Sequence, residues 1–191
     1  MSERKDDTDQ PPQPVLQRGR VTLRPSTRAD CEFVVSVESH PENARFVGQW
    51  PPQRHLECMA SPDSLHWVVE SDGRPIGYAV LEDADDPNRS LLLRRIAIAG
   101  KGRGHGSAAL RLVARYCFEV LHFHRLWLYV AVDNRRAYRW YLKHGFVEEG
   151  VARDCERRGD DYVSMHVLSI LEDEYHDTLG RRRSPAGDAR P

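Results

Sequence analysis

Apolar residues recur along this chain with two spacings, and the switches between them mark the elements. Val21-Thr22-Leu23-Arg24 alternates like a short strand. Pro25-Ser26-Thr27 offers a helix cap, and Ala29, Phe33, Val34 and Val37 then return at helical spacing, predicting a first helix. Between His40 and Pro62 the pattern is broken by Pro41, Pro51 and Pro52, and Phe46, Val47 and Trp50 sit beside polar Glu42, Asn43 and Gln49, which predicts one or two short helices. Leu65 to Glu70 reads as a strand, Asp72-Gly73 as a tight hairpin turn and Ile76 to Leu81 as the returning antiparallel strand. An acidic loop with Asp83, Asp85 and Asp86 leads into a strand from Leu91 to Ala99. Alternating glycines follow, and then Leu110, Leu112, Val113, Tyr116, Cys117 and Val120 at helical spacing.

The run from Leu126 to Val132 is densely apolar, which predicts a strand buried on both faces and paired in parallel across the preceding helix. Asn134 to His144 is a second helix stopped by Gly145. Phe146 to Cys155 and Asp161 to Ser169 read as final strands around the turn Arg158-Gly159-Asp160, and Ile170 to His176 as a closing helix. This order predicts a mixed α/β (α+β) single domain over residues 15–177. Residues 1–14, with Asp6, Asp7, Asp9 and three prolines, are expected to be a disordered leader. Residues 178–191 are expected to be a disordered, basic tail, carrying Arg181, Arg182, Arg183 and Arg190 against Asp188.

Composition narrows the classes of function. The 28 Lys and Arg balance 29 Asp and Glu, so overall charge does not suggest a nucleic-acid partner, and no aromatic residues interleave with the arginines of the tail. Cys31, Cys58, Cys117 and Cys155 form no Cys-x-x-Cys pair, and His122 and His124 have no further group at ligand spacing, so no metal site is expected. No apolar run approaches the length of a membrane span, and a cytoplasmic protein with reduced thiols is the expectation.

The stretch from Ile96 to Leu110 carries the first candidate chemistry: strand, glycine loop, helix. Glycines let a loop adopt positive φ and approach a ligand, and the first turn of the helix leaves N–H groups unpaired at the positive end of its dipole, a ready site for phosphate. A P-loop is excluded, because Lys101 precedes Gly102 and no Lys-Ser or Lys-Thr pair follows Gly106. A dinucleotide fold is excluded by the position of the motif, which lies mid-chain after an antiparallel hairpin. A nucleotide-derived phosphate remains.

The second constellation is Asn134-x-x-Ala137-x-x-x-Tyr141-x-x-x-Gly145-Phe146. Asn134 and Tyr141 are seven apart, and at about 3.6 residues per turn they share one helix face. Together with Lys101-Gly102-Arg103-Gly104-His105-Gly106, this pattern resembles the GNAT superfamily of acetyl-CoA-dependent N-acetyltransferases, over about Val21 to Leu171, and most closely the branch of ribosomal-protein N-terminal and spermidine acetyltransferases. The resemblance implies a mostly antiparallel sheet whose central parallel strands splay apart around acetyl-CoA.

It further implies that the N–H groups from Arg103 to Ser107, through Gly104, His105 and Gly106, hold the CoA pyrophosphate, with the Ser107 hydroxyl and the cation of Arg103 or Lys101 nearby. Ile96 and Ile98 would offer backbone groups to the pantetheine arm, Asn134 would bond that arm or a water, and Tyr141 would protonate the departing thiolate. Leu91 to Ile98 contains no glutamate to act as base, which leaves Glu70, Glu82, His66 or a water chain. The amine acceptor is expected against Glu42 to Trp50, Tyr78 to Asp83 and Arg153 to Asp161, with polyamine, protein N-terminus and aminoglycoside all open, as is a homodimer. The competing reading is a CoA-binding regulatory or scaffold module without catalysis.

Overall fold

A computed structural model describes residues 13–100 and 102–178, so Lys101, residues 1–12 of the expected leader and residues 179–191 of the expected tail lie outside the described residues. The chain begins with β1 (Leu16–Arg18) and β2 (Val21–Pro25), an antiparallel pair turning at Gly19. β1 went unforeseen because its three residues are too few to display a period. Thr27 and Asp30 cap the entry to α1 (Cys31–Ser39), reciprocally satisfying each other's backbone N–H groups in a short 3-10 turn. The irregular stretch that follows resolves into α2 (Pro41–Val47) and α3 (Pro52–Ala60), each opening on a proline that has no N–H to leave unpaired.

β3 (Leu65–Ser71) and β4 (Arg74–Glu82) form the expected hairpin. Asp72 and Gly73 both have positive φ, 52° and 73°, the backbone that a two-residue turn needs to match strand twist. β5 (Ser90–Ile98) continues the antiparallel sheet and leads through the glycine loop into α4 (His105–Arg115), which widens into a π turn over Tyr116–Val120. Then come β6 (Arg125–Ala131), α5 (Arg135–Leu142), the long hairpin β7 (Val147–Arg158) and β8 (Asp161–Leu171), and α6 (Glu172–Thr178). The eight strands stand in the order β1-β2-β3-β4-β5-β6-β8-β7, and only β5 and β6 are parallel.

Alternation along β4 divides the core. Tyr78 and Val80 face Val34, Val37 and Cys58 of α1 and α3, whereas Ala79 and Leu81 face the larger cluster built on Leu110, Val113 and Cys117. Cys31, Cys58 and Cys117 are buried free thiols, and Cys155 is exposed. Among the described residues no helix is long and apolar enough to cross a membrane.

One strand corrects the sequence. β6 is not buried on both faces: Tyr129 is 41% exposed and Trp127 half-buried. The reason is its neighbour. β5 and β6 pair only over Ser90–Leu92 and Arg125–Trp127, although β5 runs on to Ile98 and β6 to Ala131. A register shift between Val80 and Leu81 bends the β4/β5 ladder at the same level, so beyond Leu92 the two parallel strands diverge.

Candidate active site

The divergence leaves one strand edge unpaired within the sheet. Ala99 N–H donates to Ile76 O at 2.7 Å, and the antiparallel register continues through Tyr78 opposite Ala97 and Val80 opposite Arg95. Hydrogen-bonded pairs alternate in such a ladder, so residues 95, 97 and 99 bond to β4 while the N–H and C=O groups of Ile96 and Ile98 turn to the opposite edge. That edge faces the gap between β5 and β6. Because backbone donors and acceptors need partners, an unpaired edge in a sheet interior is a template for an extended, amide-bearing ligand.

At the end of this edge the loop turns on Gly100, Gly102 and Gly104, with φ of 70°, 94° and 80°. The first bond of α4 runs from Ala108 N–H to Gly104 O at 3.1 Å, so the N–H groups of His105, Gly106 and Ser107 have no acceptor within the helix. A Cβ at Gly102 or Gly104 would meet nothing within 4 Å, so the space above the loop is open to a ligand. His105 Nε2 lies 3.4 Å from Ser71 Oγ, while its buried Nδ1 has no partner. Arg103 is exposed beside them.

α5 supplies the facing wall. Asn134 caps it, its side chain accepting from Ala137 N–H at 3.1 Å, and one helix face then carries Asn134 and Tyr141 together, as their spacing predicts. Tyr141 is 8% exposed, packed edge-on against Trp140 and Phe146 at 4.9 and 5.4 Å. Burial pushes its phenol well above the ordinary value, so at neutral pH the hydroxyl keeps its proton.

Two cavities open on these groups. One, about 610 Å³, runs along Ile96, Ile98, Arg103, Gly104, His105, Gly106 and Ser107 to Asn134 and Tyr141; it gathers every predicted cofactor residue among those described. The other, about 640 Å³, lies between β5, β6, the segment from Ala44 to Trp50 and the β7–β8 turn. Phe46, Val47, Ile96, Asn134, Ala137 and Tyr141 line both. Tyr141 therefore stands where two chambers meet, one edged by free N–H groups and a helix N-terminus, the other by side chains.

Residues 30–146 match the acetyltransferase (GNAT) family. A spermidine N(1)-acetyltransferase of Vibrio cholerae is 38% identical over 168 residues, covering 82% of this chain and 95% of that protein. The L-amino acid N-acetyltransferase of Escherichia coli is 28% identical over 163 residues, covering 80% of this chain and 98% of its own. The chain belongs to the GNAT acetyltransferase family. The fold agrees: a Vibrio cholerae spermidine N-acetyltransferase solved in complex with CoA and spermine superposes with a TM-score of 0.72 at 25% identity, over 82% of this chain and 98% of that one.

The three candidate bases in this acetyltransferase stand away from both cavities. Glu70 is held by Arg24 at 2.7 Å. Glu82 lies between Arg94 and Arg54, at 3.3 and 3.5 Å. His66 bonds Ser26 Oγ at 2.8 Å, and its burial, with His55 beside it, pushes its pKa down to about 3, so it is neutral but sealed from any substrate. Tyr78, expected near the acceptor, is instead fully buried and donates its hydroxyl to Glu38.

That buried carboxylate is the polar centre the sequence did not disclose. Glu38 is 1% exposed and accepts from Tyr78, from Arg95 Nη1 at 2.9 Å and from Trp50 N–H at 2.9 Å, with His55 Nε2 3.3 Å away but not aligned for a hydrogen bond. Burial opposes its ionisation, yet His55, Tyr78, Arg95 and the Trp50 N–H outweigh that and hold the carboxyl below its usual range. Its one signal was an acid at a core position of α1, next to Val37 and four residues after Val34. Arg95, fixed by Glu38 and by the carbonyls of Val47 and Gly48, stacks on Trp50 at 4.0 Å and forms a wall of the larger cavity.

Proposed function

We propose that this acetyltransferase moves the acetyl group of acetyl-CoA directly to a primary amine, with acetyl-CoA in the smaller cavity, the amine in the larger, and Tyr141 between them as general acid. The observation that carries this reading is the junction: one protonated, buried phenol lining both cavities beside the unpaired edge of β5. The residues fit the cosubstrate. The N–H groups from Arg103 to Ser107 and the Ser107 hydroxyl suit a pyrophosphate, and Arg103 adds a cation. The Ile96 and Ile98 backbone groups suit the amides of an extended arm, and an N–H among them would donate to the acetyl oxygen as negative charge develops there. Asn134, its Oδ1 engaged by the helix, keeps Nδ2 as a donor.

Acetyl-CoA supplies an acyl group activated as a thioester. The amine reaches it with its lone pair free; the N–C bond forms as the C–S bond breaks, Tyr141 gives its proton to the sulfur, and the proton shed by the nitrogen returns to Tyr141 through solvent. No covalent acyl-enzyme is needed, and the described residues of the site include no cysteine. That relatives are named for acting on spermidine and on amino acids supports an amine as acceptor.

The cradle can be tested apart from the chemistry. Gly104→Val places a β-branched residue at φ 80° and a side chain in the open space above the loop. Calorimetric titration is expected to show acetyl-CoA binding weakened by at least about tenfold, a loss of about 1.4 kcal/mol, with the protein still folded. Unchanged affinity would place the cosubstrate elsewhere.

A further inference from the structure

The larger cavity has an unusual charge for an enzyme of amines. Arg94, Arg95, Arg157 and Arg158 line it against a single acid, Glu156, and that acid is held by Arg158 Nε at 2.6 Å. The other carboxylates that touch these arginines lie outside the lining: Glu38 is buried behind Arg95, Glu82 pairs Arg94 from β4, and Asp160 stands 3.7 Å from Arg157 in the turn. The lining thus carries four arginines to one carboxylate; Arg158 is further held by the carbonyls of Arg45 and Phe46 at 3.1 and 3.4 Å, and the remaining counter-charges lie outside the lining. Arg95 is also immobilised, by two carbonyls, a carboxylate and an aromatic face, so a ligand meets it already oriented.

On the acetyl-transfer reading above, we infer that the acceptor is an amine that also carries a carboxylate, as an amino acid or an acidic peptide N-terminus does, and that a polycation such as spermidine is a poor substrate. The planar fork of an arginine matches a carboxylate, whereas a second ammonium entering the same cavity meets like charge with no unpaired acid lining it among the described residues. The apolar remainder of the lining, Trp50, Phe46, Tyr129 and Met165, suits the side chain of such an acceptor.

The test measures CoA thiol release by the full chain at saturating acetyl-CoA, comparing L-amino acids and acidic dipeptides with the decarboxylated amine of each amino acid and with spermidine. At least tenfold higher kcat/KM for the carboxylate-bearing member of each pair is expected. Arg95 is unsuited to substitution, since removing it strands Glu38, but Arg94 and Arg157 are 40% and 66% exposed and can be changed without opening the core. The double variant Arg94→Gln, Arg157→Gln should lose at least fivefold more in kcat/KM with carboxylate-bearing amines than with their decarboxylated analogues, the difference lying in KM. Equal or better turnover of spermidine or of the decarboxylated amines overturns this inference and leaves acetyl transfer standing. No thiol release with any amine overturns both.

Discussion

Tyr141→Phe is expected to lower kcat about 10²- to 10⁴-fold, the usual contribution of a positioned general acid, while leaving acetyl-CoA affinity and thermal stability near those of the parent. The phenyl ring keeps the edge contacts with Trp140 and Phe146 that hold the wild-type side chain, so only the hydroxyl is lost. Pre-steady-state thiol release separates this effect from binding. The pH profile is a second check. Because burial raises the phenol above its ordinary value near 10, Tyr141 stays protonated through the neutral range, and the wild-type rate should climb with pH as the amine loses its proton, with no descending limb below about pH 10. Full kcat in the phenylalanine variant would mean that the sulfur takes its proton from another donor.

The second large effect is on the fold. Glu38→Ala should destabilise the protein by about 3–5 kcal/mol in urea unfolding at neutral pH, because it leaves the buried Arg95 guanidinium and the Tyr78 hydroxyl facing an empty site. Glu38→Gln, which keeps the shape and loses the charge, should fall between. The sign with pH follows from the direction of the shift. The folded carboxyl is held below its unfolded value, so its stabilisation is present above the ordinary carboxylate range and is lost as pH falls through the folded value. The two variants should therefore lie closest to wild type in acid and furthest from it near pH 7. A loss under about 1 kcal/mol for Glu38→Ala would show that Arg95 is held without it. The same pair fixes the arginine that walls the larger cavity.

What could be read from the sequence was local. Asp72-Gly73 specified a hairpin by its own backbone preferences, the glycine loop specified a helix start open to a ligand, and seven-residue spacing put Asn134 and Tyr141 on one face. Features that depend on register between distant strands were not legible. The divergence of β5 and β6 begins at a shift in the β4/β5 ladder that no period records, and it exposes Tyr129 on a strand whose apolar run suggested burial. Glu70, Glu82 and His66 sit on neighbouring strands, as expected of a base, but each is taken up by an ion pair or a hydrogen bond away from the cavities. The segments from Glu42 to Trp50 and Arg153 to Asp161, expected to meet the acceptor, do supply lining from Ala44 to Trp50 and from Glu156 to Gly159, whereas Tyr78 turned inward. The arginine-lined cavity is assembled from β5 and the β7–β8 turn, and its charge emerges only when the chain brings them together.

On the proposed function, one buried phenol serves two adjoining cavities, one for acetyl-CoA and one for an amine. Its most direct test incubates the full chain with acetyl-CoA and a panel of amino acids, dipeptides and spermidine, and follows free CoA thiol together with the N-acetylated amine by mass spectrometry. Equimolar appearance of the two products with at least one amine is expected, slowed about 10²- to 10⁴-fold when Tyr141 is phenylalanine. Acetyl-CoA binding with neither product from any amine would contradict it and leave the chain a CoA-binding module.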